Sequence, residues 1–393
     1  MKYTLCLCLF IFIYLSLVSC SQQSKSGYEI EINVSNINAN KVFLYTMKKT
    51  PLKEFYWPDI DSATVINGKA KLKRDTLLAD ASWASGIYYI DSVTRKKEEF
   101  VFKNTFKGKG KSTSFILENG HMSILGDMKD PSGLIIAGSM ENELDMRYGL
   151  LGPNTSSVNK RIGDAEKNKD SRLLSAALNE KKEKIQSFKK KLNKLTEQYP
   201  SSWFILLNVF QNANYFTPSE LEEISGKFSA KLLTTPKGKS LTSYTIQSRK
   251  LVTGAEFPQF SYIDESGKKW ALNDAKGKKG TLVIFWASWC GPCRKEIPEL
   301  KKIHQLYKSK GINLVSISTD HDIAAWRLAM KQEAMPWLNL SNLPGDYKLI
   351  NSTYNLYAIP SVYLLDSENK IVMPDEYQVS KIRENLKKLI EKG

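Results

Sequence analysis

Histidine is almost absent from this chain of 393 residues, and cysteine is rare: three of the first and five of the second. His121, His304 and His321 stand far apart in the sequence and form no cluster. A structural zinc site takes four ligands, usually cysteine and histidine in closely spaced pairs. Apart from Cys290 and Cys293 the cysteines lie in or at the end of a removable N-terminal stretch, so no second pair is left to complete one, no metal is expected, and nothing in the sequence asks for a cofactor. Long apolar runs are missing too. Beyond residue 18 no stretch approaches the roughly 20 residues that span a bilayer. No internal repeat or low-complexity tract interrupts the chain. Its length leaves room for two or three domains.

The cysteines that are present fall into two groups. Cys6, Cys8 and Cys20 lie in or at the end of an N-terminal apolar run, Leu5 to Val18, preceded by Lys2. That run has the size of a signal-peptide core and is short for a span. Leu17-Val18-Ser19-Cys20 resembles a bacterial lipobox. Cleavage before Cys20 would remove residues 1–19 and leave Cys20 as the lipidated N-terminus, followed by a polar tether over residues 20–27. An uncleaved N-terminal anchor is the alternative. Either way the rest of the chain is exported and held at a lipid bilayer, which places it in the bacterial cell envelope, facing the periplasm.

Cys290 and Cys293 are then the two thiols left in the mature chain, within Trp289-Cys290-Gly291-Pro292-Cys293. The spacing points to a reversible disulfide. Thr281–Trp286 is a short apolar run, β-branched and aromatic, which predicts a buried strand. Residues from Arg294 to Ile303 carry apolar side chains at helical spacing, with Pro292 suited to the first turn. Cys290 is expected at the exposed start of that helix, where free N–H groups and the macrodipole favour a thiolate. It should attack. Cys293, one turn on and shielded, should resolve the mixed disulfide. A purely structural disulfide would close almost no loop and stabilise little.

The run Phe285-Trp286-Ala287-Ser288-Trp289-Cys290-Gly291-Pro292-Cys293 resembles the active-site segment of thioredoxin-like proteins. Pro298 matches the kink of that family's active-site helix, and Ile359-Pro360-Ser361 its cis-proline loop. Gly254, Pro258-Gln259-Phe260 and Gly267 are similar to the module's opening. The resemblance spans residues 251–393 and is nearest to membrane-tethered TlpA/ResA-type thiol–disulfide oxidoreductases. It rests there on the strand Leu314–Thr319, Asp320, and the helical insert from Asp322. It implies an α/β thioredoxin-like domain with a central mixed sheet flanked by helices. It further implies catalytic roles for Cys290, Cys293 and Pro360, and substrate contacts by Trp289, Gly291, Pro292 and Ile359. Cytoplasmic thioredoxins carry a buried Asp in the strand before the motif, where this chain has Ile284. The resemblance offers Asp320 as the base instead. A cap on the following helix is the plainer role for that residue.

Upstream, residues 28–140 read as β-rich. Tyr28–Val34 alternates apolar and polar, and Thr64-Val65-Ile66-Asn67-Gly68-Lys69-Ala70-Lys71-Leu72 is a hairpin signal. A small antiparallel sandwich is expected, similar to the β-domain of unknown function found before thioredoxin modules in envelope lipoproteins. Residues 141–250 read as helical, with Leu178, Ile185, Phe188, Leu192 and Leu195 at helical spacing.

The net charge is +16, yet residues 251–393 hold 20 basic and 16 acidic groups, so most of the excess lies upstream. Lys181, Lys182, Lys184, Lys189, Lys190, Lys191 and Lys194 cluster in one predicted helix. A solvated face explains them, and anionic lipid is the alternative. An exported chain without a nucleic-acid motif is not expected to bind nucleic acid.

The leading expectation is a tethered reductase of disulfides in envelope proteins, Gly-Pro between the cysteines resembling the reducing members of the family. The resemblance implies a membrane thiol donor, with apocytochrome c as one candidate substrate. A surface-binding lipoprotein with an auxiliary redox module is the alternative. A peroxiredoxin-like peroxidase fits poorly: that family has Pro seven and Thr three residues before its reactive Cys, and here Val283 and Ala287 stand there.

Overall fold

The computed structural model describes residues 27–49, 55–103, 111–149, 151–343, 347–356, 358–376 and 378–392. The N-terminal features read from the sequence, the lipobox and Cys20, lie outside these. The chain forms two compact units, one from residues 27–47, 57–103 and 111–139, the other containing residues 140–392.

Among the described residues the first unit holds two main sheets around one apolar core. One orders its strands as Ile135–Ala137, Gly120–Asp127, Tyr28–Ser35 and Lys69–Lys73. The other orders them as Phe115–Leu117, Ser82–Ile90, Lys41–Thr46 and Asp59–Thr64. Tyr28, Ile30, Ile32 and Val34 turn inward, and Val42, Leu44 and Ile87 meet them from the second sheet. The alternation read from the sequence therefore sets the sandwich. Two features differ from a plain antiparallel sandwich. Tyr28–Ser35 pairs in parallel with Gly120–Asp127, residue for residue. The Asn67-Gly68 turn forms, with φ of 50° and 74° and reciprocal bonds between Ile66 and Lys69. Its arms then part: Asp59–Thr64 pairs with Lys41–Thr46, whereas Lys69–Lys73 pairs with Tyr28–Ser35. Turn chemistry fixes the reversal, and the apolar faces decide which sheet each arm joins.

The second unit begins with helices, among them Ser171–Gln198, Trp203–Gln211 and Pro236–Ser248. Asp170, Ser202 and Thr235 cap these three with side-chain oxygens. The lysine cluster is not a wholly solvated face. Lys189 is buried and donates to Glu220 at 2.5 Å, and burial pushes Lys181 down from the usual lysine range.

The same unit contains a seven-stranded mixed sheet, ordered Lys269–Ala271, Ser261–Ile263, Leu338–Ser341, Ile312–Ser318, Gly280–Trp286, Ser361–Asp366 and Ile371–Glu376. Gly280–Trp286 is buried along its whole length, parallel to Ile312–Ser318 and antiparallel to Ser361–Asp366. Successive side chains face opposite ways. Leu282, Ile284 and Trp286 pack with Ile297, Leu300, Trp326 and Leu386 of the helices Gly291–Tyr307, Ile323–Glu333 and Val379–Lys392. Val283 and Phe285 pack on the other side with Phe257, Tyr354 and Tyr363. Leu272 and Ala275 of the short helix Leu272–Ala275 and Ile350 of Tyr347–Thr353 join them, so helices lie on both faces of a thioredoxin-like sheet, and the central strand delivers its C-terminal end to the cysteines.

Candidate active site

Cys290 is the capping residue of the helix Gly291–Tyr307, with extended backbone at φ −82° and ψ 94°. Pro292 falls in the first turn, where a missing N–H costs nothing. Cys290 and Cys293 form a disulfide, their Cα atoms 5.3 Å apart. The Cys293 N–H donates to the Cys290 sulfur at 3.2 Å. An N–H of the first helical turn, which has no intrahelical partner, is thus aimed at this sulfur, and in the reduced state it favours the thiolate there.

Cys290 does not stand open as the sequence suggests. It is 4% exposed and Cys293 3%, in one apolar cluster with Ile284, Trp286 and Ala287. The Ile359 carbonyl oxygen lies 3.6 Å from the Cys290 sulfur and covers it. The Ile359–Pro360 peptide bond is cis, and both residues are half-buried. The open rim is formed by Trp289, 65% exposed, with Gly291 and Pro292 beside it. Outside its own helix and chain neighbours, no heavy atom lies within 4 Å of where a Gly291 Cβ would be, so Gly291 faces open space.

Ile284 is 3% exposed and shares the cluster that holds both cysteines. The wall where cytoplasmic thioredoxins place a carboxylate is therefore apolar here. Asp320 follows the neighbouring strand and is buried. Its carboxylate accepts from the Ser288 N–H at 3.0 and 3.2 Å, from the Ser288 hydroxyl at 2.6 Å and from the Ser318 hydroxyl at 2.7 Å. It does not cap the next helix. Asp322 does, accepting from the Ala324 N–H at 2.8 Å. Asp320 instead ties down Ser288, two residues before Cys290.

A second carboxylate was not singled out from the sequence. Glu296 lies one turn beyond Cys293 on the active-site helix, at the i, i+3 spacing that puts Cβ atoms about 5–6 Å apart. Burial pushes its pKa up to about 7. Among the described residues no donor or cation is bonded to it, in contrast to Asp320. The signal was the spacing itself: a Glu three residues after the second cysteine shares its helical face.

Among the described residues one group of potential metal ligands converges, Glu29, Glu31 and His121 in the first unit. Lys71 already occupies it, 2.8 Å from Glu29 and 3.7 Å from Glu31.

A family model described as Redoxin matches residues 252–390. Thiol-disulfide oxidoreductase ResA of Bacillus thuringiensis is 31% identical over 148 residues, covering 37% of this chain and 83% of that protein. Thioredoxin-like protein YneN of Bacillus subtilis is 35% identical over 135 residues, covering 33% of this chain and 75% of that protein. Among solved structures, the thioredoxin domain of a thiol-disulfide oxidoreductase from Bacteroides vulgatus is 32% identical, covering 36% of this chain and 99% of that one, with a TM-score of 0.34. With its disulfide at the head of a helix and this likeness along most of ResA's length, the chain belongs to the ResA-type thiol–disulfide oxidoreductases, and is an oxidoreductase of thioredoxin-like fold.

Proposed function

We propose that the enzyme is a lipid-anchored reductant of disulfides in exported proteins. The observation that carries this reading is the Cys290 sulfur in the capping place of its helix, accepting the Cys293 N–H. In the reduced enzyme the Cys290 thiolate attacks one sulfur of a substrate disulfide. The substrate's second sulfur leaves as a thiolate, and a mixed disulfide joins Cys290 to the substrate. Cys293 then loses its proton and attacks the Cys290 sulfur, which releases the first substrate sulfur. Two electrons have passed to the substrate, and the Cys290–Cys293 disulfide has formed. A dithiol donor at the membrane restores the pair. Trp289, Gly291, Pro292, Ile359 and Pro360 border the attacked sulfur and would contact the substrate. Asp320 holds the segment before Cys290, and Glu296 supplies a carboxylate within a turn of Cys293.

Gly-Pro between the cysteines supports the reducing direction, and the lipobox supports the place, the bacterial envelope. Apocytochrome c is one substrate of the right chemistry. No helix among the described residues is long and apolar enough to cross a membrane, and Cys20 lies outside those residues.

Two measurements test the reading. Full-length enzyme with dithiothreitol as donor should reduce insulin faster than dithiothreitol alone. No acceleration would overturn the reductase assignment. Cells grown with radioactive palmitate should label the wild type and not Cys20→Ala. Label that persists in the variant removes Cys20 as the anchor.

A further inference from the structure

The segment that brings Ile359 over Cys290 is fastened at both ends. Downstream, Ser361 pairs with Phe285 of the central strand. Upstream lies the helix Tyr347–Thr353, then Tyr354, Asn355 and Leu356. Tyr354 is fully buried, its ring 5.1 Å from Phe257 and 4.8 Å from Phe285, and its carbonyl accepts from the Tyr363 hydroxyl at 3.1 Å. Residues of the redox module thus hold position 354.

Its two neighbours are held from outside the region that matches the redox family. The Gln247 side-chain amide donates to the Thr353 carbonyl at 2.6 Å. The Asn355 side-chain amide donates to the Tyr244 carbonyl at 2.9 Å. Tyr244 and Gln247 belong to the helix Pro236–Ser248, whereas the family match begins at residue 252. The Thr353 carbonyl ends a helix, where carbonyls lack intrahelical partners, and Gln247 supplies one. Asn355 has a φ of +48°, a conformation Asn accepts more readily than most residues. From Asn355 to Ile359 the chain can reach at most about 15 Å. The brace is therefore only four residues along the chain from the carbonyl that covers the attacked sulfur.

We propose that the helix Pro236–Ser248 is a working part of the active site, with Gln247 and Asn355 as positioning residues that set the Ile359 loop for polypeptide substrates. This rests on the reductase reading above. A polypeptide must dock along the loop as well as present its disulfide, whereas a small aromatic disulfide needs only the sulfur.

The test compares full-length wild type with Gln247→Ala, Asn355→Gly and the double variant. Glycine keeps the positive φ and removes only the amide. For insulin, each single change should raise KM about three- to tenfold, the loss of one hydrogen bond. Reduction of a small aromatic disulfide and the reduction potential of the Cys pair should stay within about twofold. Gln247→Arg keeps a donor and should restore much of the insulin KM. An unchanged insulin KM in the double variant overturns the proposal. So does a parallel loss on both substrates with a lowered unfolding midpoint, which marks a purely structural brace. A wild type inactive on both substrates would overturn the reductase reading, and the proposed role with it.

Discussion

Cys290→Ser abolishes reductase turnover, a loss of about a thousandfold or more, and traps no substrate. Cys293→Ser also stops turnover, but it accumulates a mixed disulfide between Cys290 and its partner. The two cysteines are equally buried, so exposure does not separate their roles. The field around them does. The Cys290 sulfur receives the Cys293 N–H at the head of the helix, and its chain neighbours Trp289 and Gly291 are exposed. Cys293 is inside the first turn and packs with Ile284 and Ile297, with no equivalent donor at its sulfur among the described residues. Attack through Cys290 and resolution by Cys293 follow. Affinity capture of each tagged variant from envelope extracts, with and without reductant, reads the difference by mass spectrometry. Equal capture by both variants would sink the assignment.

Much of this site was legible because it is local in sequence. A strand of continuous apolar residues, two cysteines at one turn's spacing and Pro292 dictate a helix start within fourteen residues. The burial of Cys290 was not legible, because it comes from the Ile359 carbonyl, 69 residues away. Nor was the work of Asp320. Its position after a strand allowed either a base or a helix cap, and only the fold brings Ser288, 32 residues earlier, onto its carboxylate. The same limit explains the β-rich unit. Periodicity identified Tyr28–Ser35 as half-buried, but period two carries no information on direction, and its partner Gly120–Asp127 runs parallel. The turn at Asn67-Gly68 is legible in the sequence, because Asn-Gly accepts positive φ. Whether its arms stay together depends on two sheets that the local sequence does not describe.

Glu296→Gln and Asp320→Asn should fail in different ways, and the difference identifies the proton acceptor. Resolution needs a base for Cys293, because a thiol shielded in an apolar cluster does not ionise readily. The Asp320 carboxylate is already engaged by the Ser288 N–H and by the Ser288 and Ser318 hydroxyls, bonds that hold the chain before Cys290. Glu296 has no such donors among the described residues, and burial brings its pKa up to about 7, suited to general-base work near neutrality. Glu296→Gln should therefore lower turnover about a hundredfold at pH 8 and flatten a rate profile that in the wild type rises through pH 7. Mixed disulfides should accumulate, because attack by Cys290 is spared. The folded-state pKa of Glu296 is raised above its ordinary value of 4.5, so its contribution to stability is present below pH 4.5 and lost as pH rises through about 7. The Gln variant should accordingly gain stability relative to wild type across that window. Asp320→Asn should instead lose about 2–4 kcal/mol at neutral pH, because it exchanges charge-assisted bonds for an amide facing two donors. Its remaining activity should keep the wild-type pH profile, as should that of Ser288→Ala. Denaturant melts and rate profiles from pH 5 to 9, about two units either side of that titration, decide between them. If Asp320→Asn is the variant that flattens the profile while its stability holds, Asp320 is the base and Glu296 a bystander.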